Sequence, residues 1–138
     1  MSKKEAQLPS ITSEEEIQEL ARGFQKSRIL LTGLELDIFT LIAGRGRSSK
    51  EVSEAIGSDD RATDRLMNAL VAMGLLEKEG EVFQNTATSE KWLSRMSPDF
   101  LAMLLHLNHL WNSWSTMTEA VKAGTRVYEK PEGKDDSI

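Results

Sequence analysis

The strongest constraint on the fold of this chain is a pair of short helices that the sequence predicts in its middle. Ser48 is followed three residues later by Glu51, which is the spacing of a capping box, and Gly57 is placed to end the helix that this box begins. Asp59 or Asp60 caps a second helix almost at once. Two helices joined by so short a turn are typical of a helix–turn–helix.

A β-hairpin is predicted directly after the second helix, which ends before Gly74. Gly80 supplies the turn of a hairpin over residues 75–85, and Thr86 or Thr88 begins another short helix. The face of the second helix that we expect to be buried consists of Ala62, Leu66, Ala69, Leu70 and Met73. A helix–turn–helix followed by a hairpin predicts a winged helix.

A longer apolar helix is predicted on the N-terminal side of this block. It begins at Thr12 or Ser13, and the glutamates 14–16 lie in its first turn, where the helix dipole favours them. Its apolar residues recur at helical spacing at Ile17, Leu20, Phe24, Leu31, Leu34 and Ile38. Gly33 predicts a break, and a second short helix is expected over residues 34–43.

Another long helix is predicted on the C-terminal side. Pro98 is expected in its first turn, where a missing N–H costs nothing, and Gly124 is expected to end it after Ala123. Its apolar residues are Phe100, Met103, Leu104, Leu107, Leu110, Trp111, Trp114, Met117 and Val121. They cover more than one narrow stripe, so this helix is expected to need a partner surface beyond its own small domain.

Length and composition predict one domain with polar ends. We expect a disordered N-terminus over residues 1–11, a domain over residues 12–124 and a charged linker or tail over residues 125–138. The expected fold class is mainly α, a winged helix–turn–helix with a small β-hairpin wing, flanked by long N- and C-terminal helices.

The chain contains no cysteine, which excludes disulfides and thiolate metal sites. No apolar run approaches the roughly 20 residues that span a bilayer, and the first ten residues lack an apolar signal core, so we expect no membrane association and a cytoplasmic location.

The excess of acidic residues argues against binding of nucleic acid by this winged helix. The net charge is −5, and acidic side chains outnumber basic ones over residues 45–79. The start of the second helix, which would enter the major groove, offers Asp59, Asp60, Arg61, Asp64 and Arg65. Carboxylates there would be repelled by phosphates, so no nucleic acid is expected as a partner. The alternative is a winged-helix transcriptional regulator that binds DNA as a dimer with a ligand between its long helices.

Catalytic chemistry is hardly visible in the sequence. His106 and His109 lie one helical turn apart and could share a metal ion, but no third ligand is evident, and local hydrogen bonding explains them as well. The Gly-rich run 44–47 follows a helix rather than a strand and is no phosphate cradle. We therefore predict no catalytic residue and no metal site.

Several runs of residues resemble one enzyme family. The matching runs are 24–39, 61–66, 70–76, 85–86, 97–99 and 109–111, and the resemblance extends over about residues 14–124. In order and spacing they are similar to the N-terminal part of class I S-adenosylmethionine-dependent small-molecule O-methyltransferases of the plant phenolic, bacterial polyketide and acetylserotonin types.

The resemblance implies a dimerisation domain that binds no DNA, whose first and last helices intertwine with those of a second subunit. The implied partner is thus a second copy of the chain, and the implied interface residues are Ile17, Leu20, Phe24, Leu31, Leu104, Leu107, Trp111 and Trp114. This domain also closes the substrate pocket in the family, which implies contacts of Phe24, Ser27, Leu107, Asn108 and Trp111 with a small aromatic or polyketide acceptor. Phe24 and Trp111 are better explained as core residues, whereas the amide of Asn108 needs a partner on an apolar helix face.

The resemblance places the S-adenosylmethionine site and the histidine base of the family in a catalytic domain that these 138 residues do not contain. We therefore expect no cofactor in this chain and no catalysis by it, only homodimerisation and closure of a substrate pocket. A third alternative is a free-standing binder of a small ligand that uses the pocket near Asn108 and Trp111 and regulates a separate methyltransferase chain.

Overall fold

The computed structural model describes residues 8–128, so most of the predicted disordered N-terminus and charged tail lies outside the described residues, at 1–7 and 129–138. The elements, in chain order, are α1 (Glu14–Ala21), α2 (Gly23–Glu35), α3 (Ile38–Leu41), β1 (Arg47–Ser48), α4 (Ser49–Ile56), α5 (Asp60–Ala72), β2 (Leu76–Glu79), β3 (Val82–Asn85), α6 (Ala87–Trp92), α7 (Met103–Trp114) and α8 (Met117–Ala123). This order confirms the predicted winged helix–turn–helix with flanking helices.

The helix–turn–helix begins and ends where the capping residues predict. Ser48 and Glu51 form the capping box of α4, and Gly57 ends this helix in the left-handed conformation that glycine adopts readily. Asp59 is the N-cap of α5, where its carboxylate accepts the backbone N–H of Ala62 at 2.8 Å.

The wing is a three-stranded antiparallel sheet in the order β1-β3-β2. Strands β2 and β3 are the predicted hairpin, with Gly80 at positive φ in the turn. Strand β1 was not predicted, because two residues carry no periodic signal, and it pairs Arg47 with Phe83 and Ser48 with Val82.

Of the predicted buried face of α5, Leu70 is buried and Leu66 packs half-buried against the core, but the rest of the prediction is wrong. The buried residues are Thr63, Met67 and Leu70, while Ala62 is exposed and Leu66, Ala69 and Met73 are half-buried. The buried face is thus shifted by about one residue from the predicted one, with Met67 in the core and the Thr63 hydroxyl 2.6 Å from that of Ser58 at the preceding turn.

The N-terminal helix does not break at Gly33. It continues through this residue and breaks instead at Arg22 and at Leu36–Asp37, so that α3 is much shorter than the predicted helix over 34–43. Gly33 serves packing, because a Cβ there would lie 3.1 Å from the ring of Phe39 and 3.3 Å from Leu70 Cδ1.

The C-terminal helix also differs from the prediction. Pro98 lies in an irregular segment before α7, held by the hydrogen bond of 2.9 Å from the Leu101 N–H to the Trp92 carbonyl. A second break separates α7 from α8, where the hydroxyls of Ser115 and Thr116 donate to the carbonyls of Asn112 and Ser113 at 2.6 and 2.7 Å. The predicted stop at Gly124 is confirmed.

The hydrophobic core lies between α2, α3, α5 and the sheet. Its buried residues are Leu31, Leu34, Ile38, Phe39, Ile42, Val52, Met67, Leu70, Leu76, Phe83 and Leu93. Helices α1, α7 and α8 contain no buried residue. No helix within residues 8–128 has the length and apolar character needed to cross a membrane.

Candidate functional site

An exposed apolar stripe runs along α1 and α2. It consists of Ile17, Leu20, Phe24, Ser27 and Leu31, which alternate at intervals of three and four residues and therefore share one helical face. Leu20 is 70% exposed and Phe24 is 56% exposed, whereas Leu31 reaches the core. We call these five residues the N-terminal stripe.

A second stripe of the same spacing lies on α7. It consists of Leu104, Leu107, Trp111 and Trp114, and we call it the C-terminal stripe. Trp114 is 65% exposed, while Leu104 and Trp111 also pack against the core. Met117 and Val121 continue the exposed apolar surface onto α8.

The two stripes meet in a groove of about 330 Å³ between α2 and α7. Its walls are Ser27, Leu30, Leu31, Leu104, Leu107, Leu110, Trp111 and Trp114. The groove thus joins six of the residues predicted for an interface or a substrate pocket. Ile17, Leu20 and Phe24 lie outside it on the exposed part of the N-terminal stripe, and Asn108 lies outside it as well.

Asn108 belongs to a polar network at the edge of the groove. Its Oδ1 accepts a hydrogen bond of 3.0 Å from Arg28, and its Nδ2 donates to Glu35. Arg28 also lies 3.5 Å from the Glu35 carboxylate and stacks 5.0 Å from the centroid of the Trp111 ring. The amide of Asn108 therefore finds its partners within the chain and ties α7 to α2.

Sequence reasoning missed this network. The one available signal is that Arg28 and Glu35 are seven residues apart, two helical turns on one face of α2. Nothing in the sequence indicates that α7 supplies the third member.

The acidic residues of the helix–turn–helix are used for packing within it. Asp60 accepts a hydrogen bond from Ser53, and Asp64 accepts one of 2.7 Å from Ser49. Asp64 also accepts one of 3.1 Å from Asn68. These bonds fix α5 against α4 and explain the acidic start of α5 without any external ligand.

The two histidines lie next to each other on α7, with ring centroids 6.5 Å apart in an edge-on arrangement. Within residues 8–128, no three His, Cys, Asp or Glu side chains are placed to share a metal ion.

A winged helix whose flanking helices expose apolar stripes belongs to the class of protein-association modules. The sequence model of the O-methyltransferase dimerisation domain matches residues 18–95, and the chain belongs to this family. The family predicted from the resemblance is thereby confirmed.

Curated relatives and solved structures agree with this assignment. The chain is 35% identical to the tetracenomycin polyketide synthesis 8-O-methyl transferase TcmO of Streptomyces glaucescens, over 80% of this chain and 34% of the relative. It is 30% identical to the acetylserotonin O-methyltransferase of Gallus gallus, over 82% of this chain and 35% of the relative. An O-methyltransferase family protein from Burkholderia thailandensis superposes with a TM-score of 0.75 at 31% identity, covering 82% of this chain and 34% of that one.

The chain spans about a third of the length of these relatives. A human relative of the same fold, the N-acetylserotonin methyltransferase, has been solved with S-adenosylmethionine. Within residues 8–128, the sheet consists of three short antiparallel strands, so it has no carboxyl edge of parallel strands, where nucleotide ligands of α/β folds bind. We derive no methyl-transfer step from this chain.

Proposed function

We propose that the chain homodimerises through the N-terminal and C-terminal stripes and contributes association, rather than catalysis, to an O-methyltransferase. The observation that carries this proposal is the set of three helices without a buried residue, α1, α7 and α8, each of which exposes large apolar side chains. Membership of a dimerisation family supports it.

The size of the exposed surface favours a macromolecular partner. Exposed large apolar residues are spread over four helices, from Ile17 on α1 to Val121 on α8, which is more surface than a single small molecule would contact. Stable homodimers commonly bury about 2,000 Å² or more. At about 25 cal/mol per Å² of apolar area, such burial supplies tens of kcal/mol before the costs of association are subtracted.

A small aromatic or polyketide acceptor could also reach the groove. Of the five residues that the resemblance implies for acceptor contacts, Ser27, Leu107 and Trp111 line it, and Phe24 and Asn108 do not. We therefore propose association as the main use of this surface, with Ser27, Leu107 and Trp111 as the predicted acceptor contacts that the groove brings together.

The DNA-binding alternative is weakened by the bonds at the start of α5. Asp60 and Asp64 accept hydrogen bonds from Ser53 and Ser49, so the start of α5 keeps acidic side chains that would repel phosphates.

Sedimentation equilibrium tests the proposal with a charge placed on the exposed stripe. Trp114→Asp should convert a dimer into a folded monomer, because a carboxylate would be buried unpaired in the interface. Trp114 is suited to this test because it is exposed and contributes little to the core. Trp111→Asp and Leu107→Asp should also disrupt the dimer, but Trp111 packs against the core and its loss risks the fold.

Met96→Asp is the matched control. Met96 is an apolar residue that is 77% exposed and lies outside both stripes, so the same change there should leave the dimer intact. A wild-type chain that sediments as a well-folded monomer would contradict the proposed function.

A further inference from the structure

A second pocket, of about 300 Å³, lies where the loop before β1 meets the start of α6. It shares no lining residue with the groove between α2 and α7. Its walls include Gly44, Arg45 and Gly46 of the Gly-rich run, to which the sequence assigned no ligand. A volume of this order lies at the lower end of the range for small-molecule sites. We call this cavity the loop pocket.

The loop pocket contains a carboxylate that is bound only by neutral donors. Glu90, on α6, lines the pocket and is half-buried. Its Oε1 accepts the backbone N–H of Gly44 at 2.7 Å, and its Oε2 accepts an N–H of the Asn85 side chain at 2.6 Å. Within residues 8–128, Glu90 forms no ion pair. Each of its oxygens can accept a second hydrogen bond, and a charged donor binds a carboxylate about twice as strongly as a neutral one.

Asn85 supplies a further acceptor next to this carboxylate. Its Nδ2 donates to Glu90 and, at 2.8 Å, to the Phe39 carbonyl, and these two acceptors fix the orientation of the amide. Its Oδ1 is buried and has no hydrogen-bond partner in the part of the chain that the structure describes. A buried acceptor without a partner costs free energy. A group with several N–H donors in the loop pocket would therefore satisfy Asn85 and Glu90 together.

A positive charge belongs to the same pocket. Arg45 lines it, and the side chain of this arginine is 68% exposed. Its ion pair with Glu51 spans 3.9 Å, and the glutamate is itself exposed, so this contact contributes little to stability. The planar guanidinium carries five N–H donors and therefore keeps donors for the carboxylate of a ligand.

We propose that the loop pocket binds a small zwitterion with the two charges of an α-amino acid. Its ammonium, with three donors, binds Glu90 and the Oδ1 of Asn85, and its carboxylate binds Arg45. Arg45 would repel a simple amine and Glu90 would repel a simple carboxylate, so the two side chains select a ligand that carries both charges. The lining residues that the structure describes include no aromatic side chain, which disfavours a flat aromatic ligand here.

Titrations of the isotope-labelled full chain with three related probes, followed by nuclear magnetic resonance, test the proposal. L-Alanine carries both charges, ethylamine lacks its carboxylate, and propionate lacks its ammonium. L-Alanine should shift the amide resonances of Gly44, Gly46 and Asn85 to saturation with a millimolar Kd, and the other two probes should bind at least about tenfold more weakly. The absence of a saturable shift up to about 50 mM L-alanine, or equal binding of the three probes, would overturn the proposal.

Two variants test which side chains hold the charges of the ligand. Glu90→Gln keeps an oxygen for the Gly44 N–H but removes the negative charge, so it should raise the Kd for L-alanine at least about tenfold and lower the Kd for propionate. Arg45→Gln should raise the Kd for both probes, and the fold should survive because this side chain is exposed. Glu54→Gln and Arg61→Gln change exposed residues outside the pocket and are the matched controls, which should bind L-alanine as the wild type does.

The opposite effects of the two variants on propionate distinguish a ligand site from a purely structural contact. If Glu90 only ties α6 to the loop, Glu90→Gln would lower the Tm and leave the relative affinities of the three probes unchanged, and this result would contradict the proposal. The loop pocket shares no residue with the N-terminal or C-terminal stripe, so these titrations test the ligand site independently of the proposed homodimerisation.

Discussion

Gly46 is required by the side chains around it. A Cβ at this position would meet Val82 Cγ1 and would lie 2.9 Å from Gln84 Cγ and 3.2 Å from the Phe83 carbonyl oxygen. The two side chains can move, but Phe83 is held in the sheet by its pairing with Arg47. Packing of β1 onto β3 therefore depends on this glycine.

Gly46→Ala should lower the free energy of unfolding by about 1–3 kcal/mol, the usual cost of overpacking. Urea denaturation followed by circular dichroism measures the change. Gly23→Ala is the control, because nothing lies within 4 Å of a Cβ there, and alanine should be neutral or slightly stabilising in the first turn of α2. Equal losses in the two variants would contradict the packing argument.

The hydrogen bonds of Asn108 show which contacts of a single residue could be predicted from the sequence and which could not. An amide on an apolar helix face predicts that a partner exists, and the structure supplies Arg28 and Glu35. The identity of these partners could not be predicted, because it depends on how α7 is placed on α2, and eighty residues separate Arg28 from Asn108.

At the scale of elements, the sequence predicted the helix starts at which a side chain caps the helix. It did not predict the breaks between helices at which no side chain acts as a cap. Ser48, Asp59 and Thr86 each accept a backbone N–H at the start of a helix, and this local chemistry is visible in the sequence. The break at Arg22 has no side-chain cap, and Gly33 looks like a breaker although packing alone requires it. Such positions are decided by tertiary contacts.

The capping box of α4 gives this element a pH dependence. Hydrogen bonds from the Ser48 backbone N–H and hydroxyl lower the pKa of Glu51 below its ordinary value near 4.5. Because the pKa is lower in the folded state, the stabilisation is present above the unfolded pKa and is lost as the pH falls through the folded pKa.

Glu51→Gln should therefore remove part of the acid sensitivity of the chain. The wild type should exceed the variant in free energy of unfolding most clearly above the unfolded pKa of Glu51, and this difference should shrink as the pH falls through the folded pKa. Urea denaturation at a series of pH values measures it. Glu54→Gln, on the same helix but outside the cap, is the control, and a wild-type advantage that stays constant as the pH falls would contradict the prediction.

At the scale of the whole molecule, buried and exposed apolar surfaces are divided between different elements. The winged helix, from α2 to α6, holds the fully buried core, whereas α1, α7 and α8 contain no buried residue and expose most of their large apolar side chains, with Leu104 and Trp111 packing partly against the core. The amount of apolar sequence in the terminal helices predicted this division. The groove itself was not predicted, because its walls come from two helices whose mutual placement no local pattern encodes.

The stability of the whole molecule should depend on its own concentration. If the stripes pair between two copies, association is part of folding, and a tenfold dilution lowers the stability of the dimer by about 1.4 kcal/mol. That change corresponds to a fall in Tm of roughly 2–5 °C for a dimer of this size. Thermal unfolding followed by circular dichroism over about a hundredfold range of protein concentration measures how Tm changes with concentration.

Trp114→Asp should melt at a lower temperature that no longer depends on concentration, while Met96→Asp should keep the concentration dependence of the wild type. A wild-type Tm that stays constant over the whole range would show that one copy of the chain stabilises its outer helices alone, and the exposed stripes would then need another explanation.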